Sequence, residues 1–270
     1  MSGYTDRDAV IVAAVRTPVG KGKANGALHD VLPADLLAHS LRAVVDRTGI
    51  DPVLVDDVIA GAVTQAGDQA ANIARNALLG AGFPESVPGT SIDRQCGSSQ
   101  QAIHFAAQAV MSGSMDVVIA AGVESMTRVP MFTSSALPQK AGLGFYQSPA
   151  INQRYHNEVF SQFTGAEMMA RKYGFSKDEL DRFALLSHQR ARAATEAGVF
   201  KREILPIEVR NAEGVGTGEM HTADEGIRMD ATLEGIAGVK LLQEGGVITA
   251  ANASQICDGA TGVMVVNERG

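Results

Sequence analysis

Apolar residues follow two alternating patterns along the first half of the chain. Continuous apolar runs of the kind found in buried strands occupy residues 8–15, 56–63 and 115–124. Amphipathic helical patterns occupy residues 33–49 and 70–82, and a third helical pattern follows Cys96. This alternation of strand and helix predicts an α/β fold whose largely parallel sheet is covered by helices on both faces.

The pattern changes after residue 126. Residues 127–163 contain three prolines and no sustained period, and the segment is too long for an ordinary connection. The elements predicted after it are helices at 165–173 and 177–197, a ribbon or loop at 208–227 and a buried strand at 262–266. The chain is therefore expected to make an excursion with its own packing and then to rejoin the first sheet.

Charge and composition exclude several classes of protein. The formal net charge of −7 and the absence of a Lys/Arg stripe argue against a nucleic-acid partner. Charged residues near the amino terminus and the lack of a long apolar stretch predict neither a signal peptide nor a membrane span, which favours a cytoplasmic protein. The six histidines show no metal-ligand spacing, and Cys96 and Cys257 are expected to be free thiols.

Cys96 is the strongest candidate for chemistry. It stands where a short strand-like run ends and an alanine-rich helical pattern begins, and Gly97 allows the backbone to turn closely there. The unpaired N–H groups at a helix amino terminus stabilise a thiolate over a thiol. By position alone, however, a small buried cysteine without reactivity is the more common case.

Four segments, taken together, resemble the thiolases, the acetyl-CoA acetyltransferases. In chain order these segments are residues 11–21, 91–113, 121–131 and 248–266, and the resemblance extends over essentially the whole chain. It implies a thiolase-like αβαβα layered half-domain with a mixed, largely parallel sheet and an inserted loop domain that covers the coenzyme A site. The expected divisions are the first part of the N-terminal domain at 1–126, the loop domain at 127–246 and a return segment at 247–270.

The resemblance implies acyl transfer through a cysteine. A thiolate of Cys96 would attack a thioester carbonyl and retain the acyl group as a new thioester, in 3-ketoacyl-CoA thiolysis or in the reverse condensation. Coenzyme A and acyl-CoA would be substrates, with no bound prosthetic group. The backbone N–H of Cys96 matches an oxyanion-hole donor of the family.

Three further residues match family positions that contact coenzyme A. Arg228 matches an arginine that lies against the adenine, Ser254 a serine beside the pantetheine arm, and Ala250 a residue that lines the same tunnel. Without the resemblance, Arg228 would be interpreted as a solvated surface charge and Ser254 as a turn or cap residue. Cys257 stands where thiolases have a polar or small residue, and it is interpreted as structural.

Several family segments have no counterpart in this sequence. The histidine base in Gly-His-Pro, a second cysteine before a glycine run and an Asn-Glu-Ala-Phe segment are missing. The C-terminal thiolase domain is therefore expected to be absent, as a lost segment or a separate partner chain. Each missing proton transfer is typically worth about a hundred- to ten-thousandfold in rate, so the chain alone is expected to turn over slowly or not at all.

The loop over the acyl pocket also departs from many short-chain thiolases. Ser161, Gln162 and Phe163 stand where those enzymes have a His-Met-Gly run. This departure resembles degradative thiolases that act on bulky or steroid-derived acyl chains. The family forms dimers through this half of the fold, so a homodimer or tetramer is expected.

Two other functions stay open at the level of the sequence. A ketoacyl synthase-like condensing enzyme shares the layered fold and the cysteine, although the long insertion favours coenzyme A over an acyl carrier protein. A non-catalytic fragment that binds coenzyme A or dimerises is favoured by the missing base.

Overall fold

A computed structural model describes residues 5–270; residues 1–4, with which the predicted first domain begins, lie outside this range. The chain forms two compact units. The first comprises the chain up to Ser134, together with Lys201–Glu225 and Ile256–Gly270, and the second comprises Ser135–Phe200 and Gly226–Gln255.

The described residues form strands and helices in the following chain order. The strands are β1 (Val10–Arg16), β2 (Gly20–Lys21), β3 (Asp57–Gly61), β4 (Gly89–Ile92), β5 (Val117–Ser125), β6 (Ile207–Arg210), β7 (Gly216–His221) and β8 (Cys257–Val266). The helices are α1 (Pro33–Thr48), α2 (Ile73–Gly80), α3 (Ser98–Ser112), α4 (Thr133–Lys140), α5 (Pro149–Arg154), α6 (Gln162–Tyr173), α7 (Lys177–Glu196) and α8 (Leu233–Ala237). Short 3-10 turns occur at Pro52–Leu54, Gly67–Gln69 and Val199–Arg202.

The main sheet of the first unit has the strand order β1-β8-β5-β3-β4, and β2 also pairs with β8. The β5–β3 and β3–β4 pairs are parallel, whereas β8 is antiparallel to β1, β2 and β5. All these strands except β8 therefore run in one direction, which confirms the predicted mixed, largely parallel sheet. The return strand predicted at 262–266 is part of β8, and it lies between β1 and β5.

Helices cover both faces of this sheet, as predicted. Helices α1 and α2 pack on one face, where Val58, Ile119 and Met264 are fully or almost fully buried. Helix α3 packs on the other face, where Ala102 and Ala106 contribute to a second core. The two cores share strands because successive side chains of a strand point to opposite faces.

The first strand differs from the prediction that it is buried. Val10, Ile11 and Val12 are 44%, 56% and 50% exposed. The reason is that β1 lies at the edge of the sheet, beside β8 only. An apolar run predicts a strand, but not its place in the strand order.

Helices dominate the second unit. The helices predicted at 165–173 and 177–197 are confirmed as α6 and α7, and Ser176 and Glu179 form a capping box at the start of α7. The segment predicted to lack a sustained period contains the short helices α4 and α5. None of the helices among residues 5–270 is long and apolar enough to span a bilayer.

The unit boundaries differ from the expected domain boundaries in three places. Residues 127–134 belong to the first unit and residues 247–255 to the second, the reverse of the expectation. Residues 201–225 belong to the first unit, although the expected loop domain ran from 127 to 246. Arg16 of β1 is the reason, because its side chain pairs with Glu203 at 2.7 Å and with Asp224 at 2.7 and 3.0 Å. These long-range ion pairs attach both ends of the segment that contains the β6–β7 ribbon to the main sheet.

Candidate active site

Cys96 lies in a tight turn between β4 and α3. The backbone N–H of Gln95 donates to Asp93 Oδ1 at 2.6 Å, and the N–H of Gly97 donates to the carbonyl of Arg94 at 3.0 Å. Ser98 closes the turn, since its hydroxyl donates to the Gln95 carbonyl at 2.7 Å and accepts the Arg94 N–H at 3.1 Å. None of these bonds uses the backbone N–H of Cys96. The turn therefore presents the cysteine side chain at the surface between β4 and α3.

Gln95, directly before the cysteine, has a left-handed backbone. Its φ is +46°, a conformation that costs a residue with a side chain about 1–3 kcal/mol. Asp93 holds it there through the Gln95 side-chain amide, at 3.0 Å, as well as through the backbone. The Cys96 side chain is exposed, contrary to the buried cysteine that position alone favours. Strain of this kind concentrates at functional sites.

No general base contacts this thiol among residues 5–270. No hydrogen bond reaches the Cys96 sulfur, and His104, two turns into α3, is exposed and bonded to Gln100 at 3.0 Å. The described residues also contain no cluster of His, Cys, Asp and Glu that could hold a metal ion. The Cys96 sulfur is thus exposed and without a hydrogen-bond partner among the described residues.

The second cysteine is in a different environment. Cys257 begins β8 and is partly buried, and its N–H donates to the Met126 sulfur at 3.4 Å. Burial raises the pKa of the Cys257 thiol, and the nearby carboxylates of Asp258 and Glu124 raise it further. Cys257 therefore forms less thiolate at neutral pH than an ordinary cysteine, in agreement with a structural role.

The three residues predicted to contact coenzyme A all lie in the second unit, and all three are exposed. Arg228 lies between β7 and α8, and its guanidinium forms no ion pair within the described range. Its backbone N–H donates to His188 Nδ1 at 3.3 Å. Burial, and then the charge of Arg228, lowers the pKa of His188, so this ring nitrogen remains an acceptor at neutral pH.

Ala250 and Ser254 lie on one internally bonded turn. Buried Thr249 accepts two following backbone N–H groups on its hydroxyl, at 3.1 and 3.2 Å, and donates its own N–H to Asn252 Oδ1 at 2.8 Å. The Asn252 amide in turn donates to buried Asp181 of α7 at 3.0 Å. These bonds fix the turn through the buried polar groups of Thr249 and Asp181, whereas Ala250 and Ser254 are exposed to solvent.

A buried carboxylate holds the start of the same turn. Glu167 of α6 is 6% exposed and accepts the N–H groups of Val247, at 2.9 and 3.0 Å, and Ile248, at 2.9 Å. A cavity of about 390 Å³ lies beside it within the second unit. The cavity is lined by Phe163, Thr164, Glu167, Leu242, Gln243 and Ile248.

Sequence patterns do not predict the anchoring roles of these residues. Glu167 and Asp181 occur in helices with many charged residues, where a carboxylate is ordinarily exposed. Asn252 lies within the thiolase-like segment at 248–266, and its side-chain amide bonds that segment to Asp181 of α7. Of the predicted site residues, Ala250 and Ser254 share one local turn. Arg228 lies elsewhere in the second unit, and Cys96 belongs to the first unit.

The structure is thus that of an α/β protein that carries an exposed thiol on a strained turn between a strand and a helix. Comparison with known proteins identifies the family to which this α/β protein belongs. The family described as "Thiolase, N-terminal domain" matches residues 9–269. The chain belongs to the thiolase family.

Two curated relatives illustrate the match. The steroid 3-ketoacyl-CoA thiolase FadA6 of Mycobacterium tuberculosis is 47% identical over 99% of this chain and 64% of its own length. A 3-ketoacyl-CoA thiolase of Erwinia tasmaniensis is 40% identical over 96% of this chain and 64% of its own length. The chain thus spans about 64% of the length of these relatives.

Solved structures agree with the assignment of the fold. The Bacillus anthracis acetyl-CoA acetyltransferase has a TM-score of 0.81 and 34% identity, with coverage of 97% of this chain and 66% of that chain. Human mitochondrial 3-ketoacyl-CoA thiolase, in complex with CoA, has a TM-score of 0.81 and 32% identity, with coverage of 98% and 66%. The thiolase-like fold implied by the sequence motifs is therefore confirmed.

Proposed function

We propose that this chain is the cysteine-bearing part of a thiolase and that Cys96 carries an acyl group between coenzyme A thioesters. The observation that carries the proposal is the exposed Cys96 thiol on its strained turn at the start of α3. Family membership supports the same assignment, since the relatives above are named as 3-ketoacyl-CoA thiolases.

The proposed chemical step is a thioester exchange. The Cys96 thiol loses its proton to a base in solution, and its sulfur forms a bond to the carbonyl carbon of the acyl-CoA. The negative charge moves to the carbonyl oxygen, where the N–H of Cys96 can donate to it. The bond from that carbon to the coenzyme A sulfur then breaks, and coenzyme A leaves as a thiolate that takes up a proton.

Coenzyme A is proposed to bind as a substrate through Arg228, Ala250 and Ser254. The guanidinium of Arg228 is exposed and forms no ion pair among the described residues, which supports this role because such a group can stack on an aromatic base or pair with a phosphate. The solvent-facing Ala250 and Ser254 support it too, since their turn is held rigid from the interior by Thr249 and Asn252. No prosthetic group is required for this reaction.

The proposed substrates are 3-ketoacyl-CoA thioesters with a bulky acyl chain. The 47% identity to a protein named as a steroid 3-ketoacyl-CoA thiolase supports this class. The apolar side chains of Phe163, Leu242 and Ile248 beside the 390 Å³ cavity support it as well. The extent of Cys96 acylation by a ring-containing acyl-CoA and by acetyl-CoA at equal concentration tests this preference.

The deciding experiment is incubation with acetyl-CoA, followed by peptide mapping in a mass spectrometer. We expect the mass of one acetyl group on the Cys96 peptide and none on the Cys257 peptide. Cys96→Ser should abolish the modification, and the matched control Cys257→Ser should retain it. Acetylation of neither cysteine would contradict the proposal.

Multiple turnover is expected to be slow in this chain alone. No base contacts the Cys96 sulfur among the described residues, and assisted proton transfer is typically worth about a hundred- to ten-thousandfold. Release of one equivalent of coenzyme A, without continued release, is the expected time course. Sustained release at a rate typical of enzymes would contradict this part of the proposal.

The partners proposed for this chain are further copies of the same chain. Exposed Phe105 and Met111 on α3, at 39% and 53%, support an apolar contact on that helix. Sedimentation equilibrium should report a dimer or tetramer. A cytoplasmic location belongs to the same proposal and is supported by two free thiols.

A non-catalytic role in binding coenzyme A is the second candidate. The lack of a base at Cys96 favours it. Calorimetric titration with coenzyme A separates the two: binding without any acylation of Cys96 by acetyl-CoA would establish the non-catalytic role.

A further inference from the structure

Two glycines lie side by side in the main sheet beneath the first turn of α3. Gly61 ends β3 and pairs in parallel register with Gly122 of β5. Ile59 and Ala120, two residues earlier on the same strands, belong to the core that packs against α3. Because side chains alternate along a strand, side chains at Gly61 and Gly122 would also point at α3.

The distances leave no room for a side chain at either glycine. A Cβ on Gly61 would lie 2.4 Å from both the backbone carbon of Ser98 and the backbone nitrogen of Ser99. A Cβ on Gly122 would lie 1.9 Å from the Ser99 hydroxyl oxygen and 2.7 Å from the Ser99 Cβ. Ordinary contacts between carbon atoms are about 3.5–4.0 Å. The first turn of α3 therefore packs directly against the backbone of β3 and β5 at these two glycines.

Not every glycine of the first unit is crowded in this way. A Cβ on Gly259 of β8 would have Thr17 Oγ1, at 3.6 Å, as its nearest neighbour. That is an ordinary van der Waals contact. Gly259 is thus a matched control: a strand glycine in the same sheet, where a methyl group fits.

The glycine pair is mechanically connected to Cys96 through Ser98. The Ser98 hydroxyl bonds to the carbonyl of Gln95 and to the N–H of Arg94, on the other side of the cysteine. A methyl group at Gly61 would have to move the Ser98 backbone by about 1 Å before the contact became ordinary. Because Ser98 is bonded to Gln95 and Arg94, that displacement would also shift the strained turn that carries the Cys96 thiol.

We propose that Gly61 and Gly122 are positioning residues for acyl transfer, an inference that rests on the proposed function of Cys96. Together they form a notch that seats the first turn of α3 and so sets where the Cys96 sulfur and N–H stand. Neither glycine touches the substrate. Their contribution is the placement of the reacting atoms, which must be correct for attack and for oxyanion binding at once.

Comparing the rate of acyl transfer to Cys96 with the rate of its simple alkylation distinguishes a loss of positioning from a general loss of thiol reactivity. Alkylation by iodoacetamide needs only an accessible thiolate, whereas acetyl transfer also needs the carbonyl oxygen at the Cys96 N–H. A misplacement of about 1 Å can cost about a hundredfold in rate, so Gly61→Ala should lower acetylation of Cys96 by about that factor. Its iodoacetamide rate should change little, and Gly259→Ala should leave both rates near those of the unmodified chain.

Gly122 allows a steric rescue. Ser99→Gly removes both of the atoms that lie nearest to a Cβ on Gly122. Gly122→Ala should therefore slow acetylation, Ser99→Gly alone should have little effect, and the double variant should recover most of the lost rate. A failure of the double variant to recover would overturn the notch, as would acetylation of both alanine variants at the original rate.

Two other outcomes also test the proposed glycine notch. If Gly61→Ala does not fold, the Gly122→Ala and Ser99→Gly set provides the answer. If the unmodified chain is not acetylated at all, the proposed function fails, and amide hydrogen exchange over residues 94–101 tests the notch by itself. Exchange that is faster in the Gly61 and Gly122 variants than in Gly259→Ala supports the notch; equal exchange refutes it.

Discussion

Removal of one charge at Asp224 is a stringent test of how the first unit is assembled. Asp224 is 12% exposed and accepts two bonds from Arg16, at 2.7 and 3.0 Å, and one from the Val19 N–H, at 2.8 Å. In Asp224→Asn the remaining oxygen can keep the Val19 N–H and one Arg16 bond. The new amide group then points donor against donor at the second Arg16 nitrogen.

The expected cost follows from these contacts. A hydrogen bond between charged groups contributes about 1.5–3 kcal/mol, and breaking a fully buried ion pair costs about 3–5 kcal/mol. Arg16 is 23% exposed and also pairs with Glu203, so the lower part of this range applies. We expect a loss of about 2 kcal/mol in the free energy of unfolding. Urea denaturation followed by far-ultraviolet circular dichroism measures it.

The pH dependence provides the refuting measurement. Burial alone would raise the pKa of Asp224, but the hydrogen bonds from Arg16 and Val19 outweigh it and hold this pKa below its ordinary value. The stabilisation is therefore complete above the unfolded pKa of about 3.9 and is lost as the pH falls through the folded value. The variant and the unmodified chain should differ at pH 7 and converge as the pH falls through the lowered folded pKa of Asp224.

The exposed pair of Asp68 with Arg128 is the control for this test. Asp68 is 42% exposed and accepts one bond at 2.8 Å, so Asp68→Asn should cost less than about 1 kcal/mol. Equal losses in the two variants, or a loss at Asp224 that does not change with pH, would refute the reasoning.

Three other substitutions test the packing, the anchor of the Ala250 turn and a helix cap. Leu41→Ala empties a fully buried site on α1 and should cost about 2–5 kcal/mol in urea denaturation, whereas Leu54→Ala, at a position 59% exposed, should cost far less. Glu167→Ala leaves two backbone N–H groups without their acceptor, so amide hydrogen exchange over residues 246–254 should accelerate; unchanged exchange would contradict the anchoring role. Ser176→Ala removes the capping box of α7 and should cost about 1 kcal/mol, while Ser176→Thr, which keeps a hydroxyl, should lose less.

Much of this molecule follows from local patterns in the chain. The helices at 33–49, 165–173 and 177–197 are recognisable because helical period, capping residues and stop signals agree within a few residues. The αL conformation of Gly49, with a φ of 69°, ends α1 where the sequence predicted it. The thiolase family was also evident from four ordered motifs, because short catalytic segments are recognisable without knowledge of the contacts around them.

Tertiary structure alone decided the features that depend on contacts between distant residues. The apolar run at the first strand could not show that β1 would be an edge strand, since strand order depends on which segments pair. Nor could composition show that Arg16 would bind Glu203 and Asp224 and so join residues 201–225 to the first unit. The same holds for the exposure of Cys96, the buried Glu167 and the close approach of α3 to Gly61, because periodicity records only neighbours along the chain, whereas these properties arise from neighbours in space.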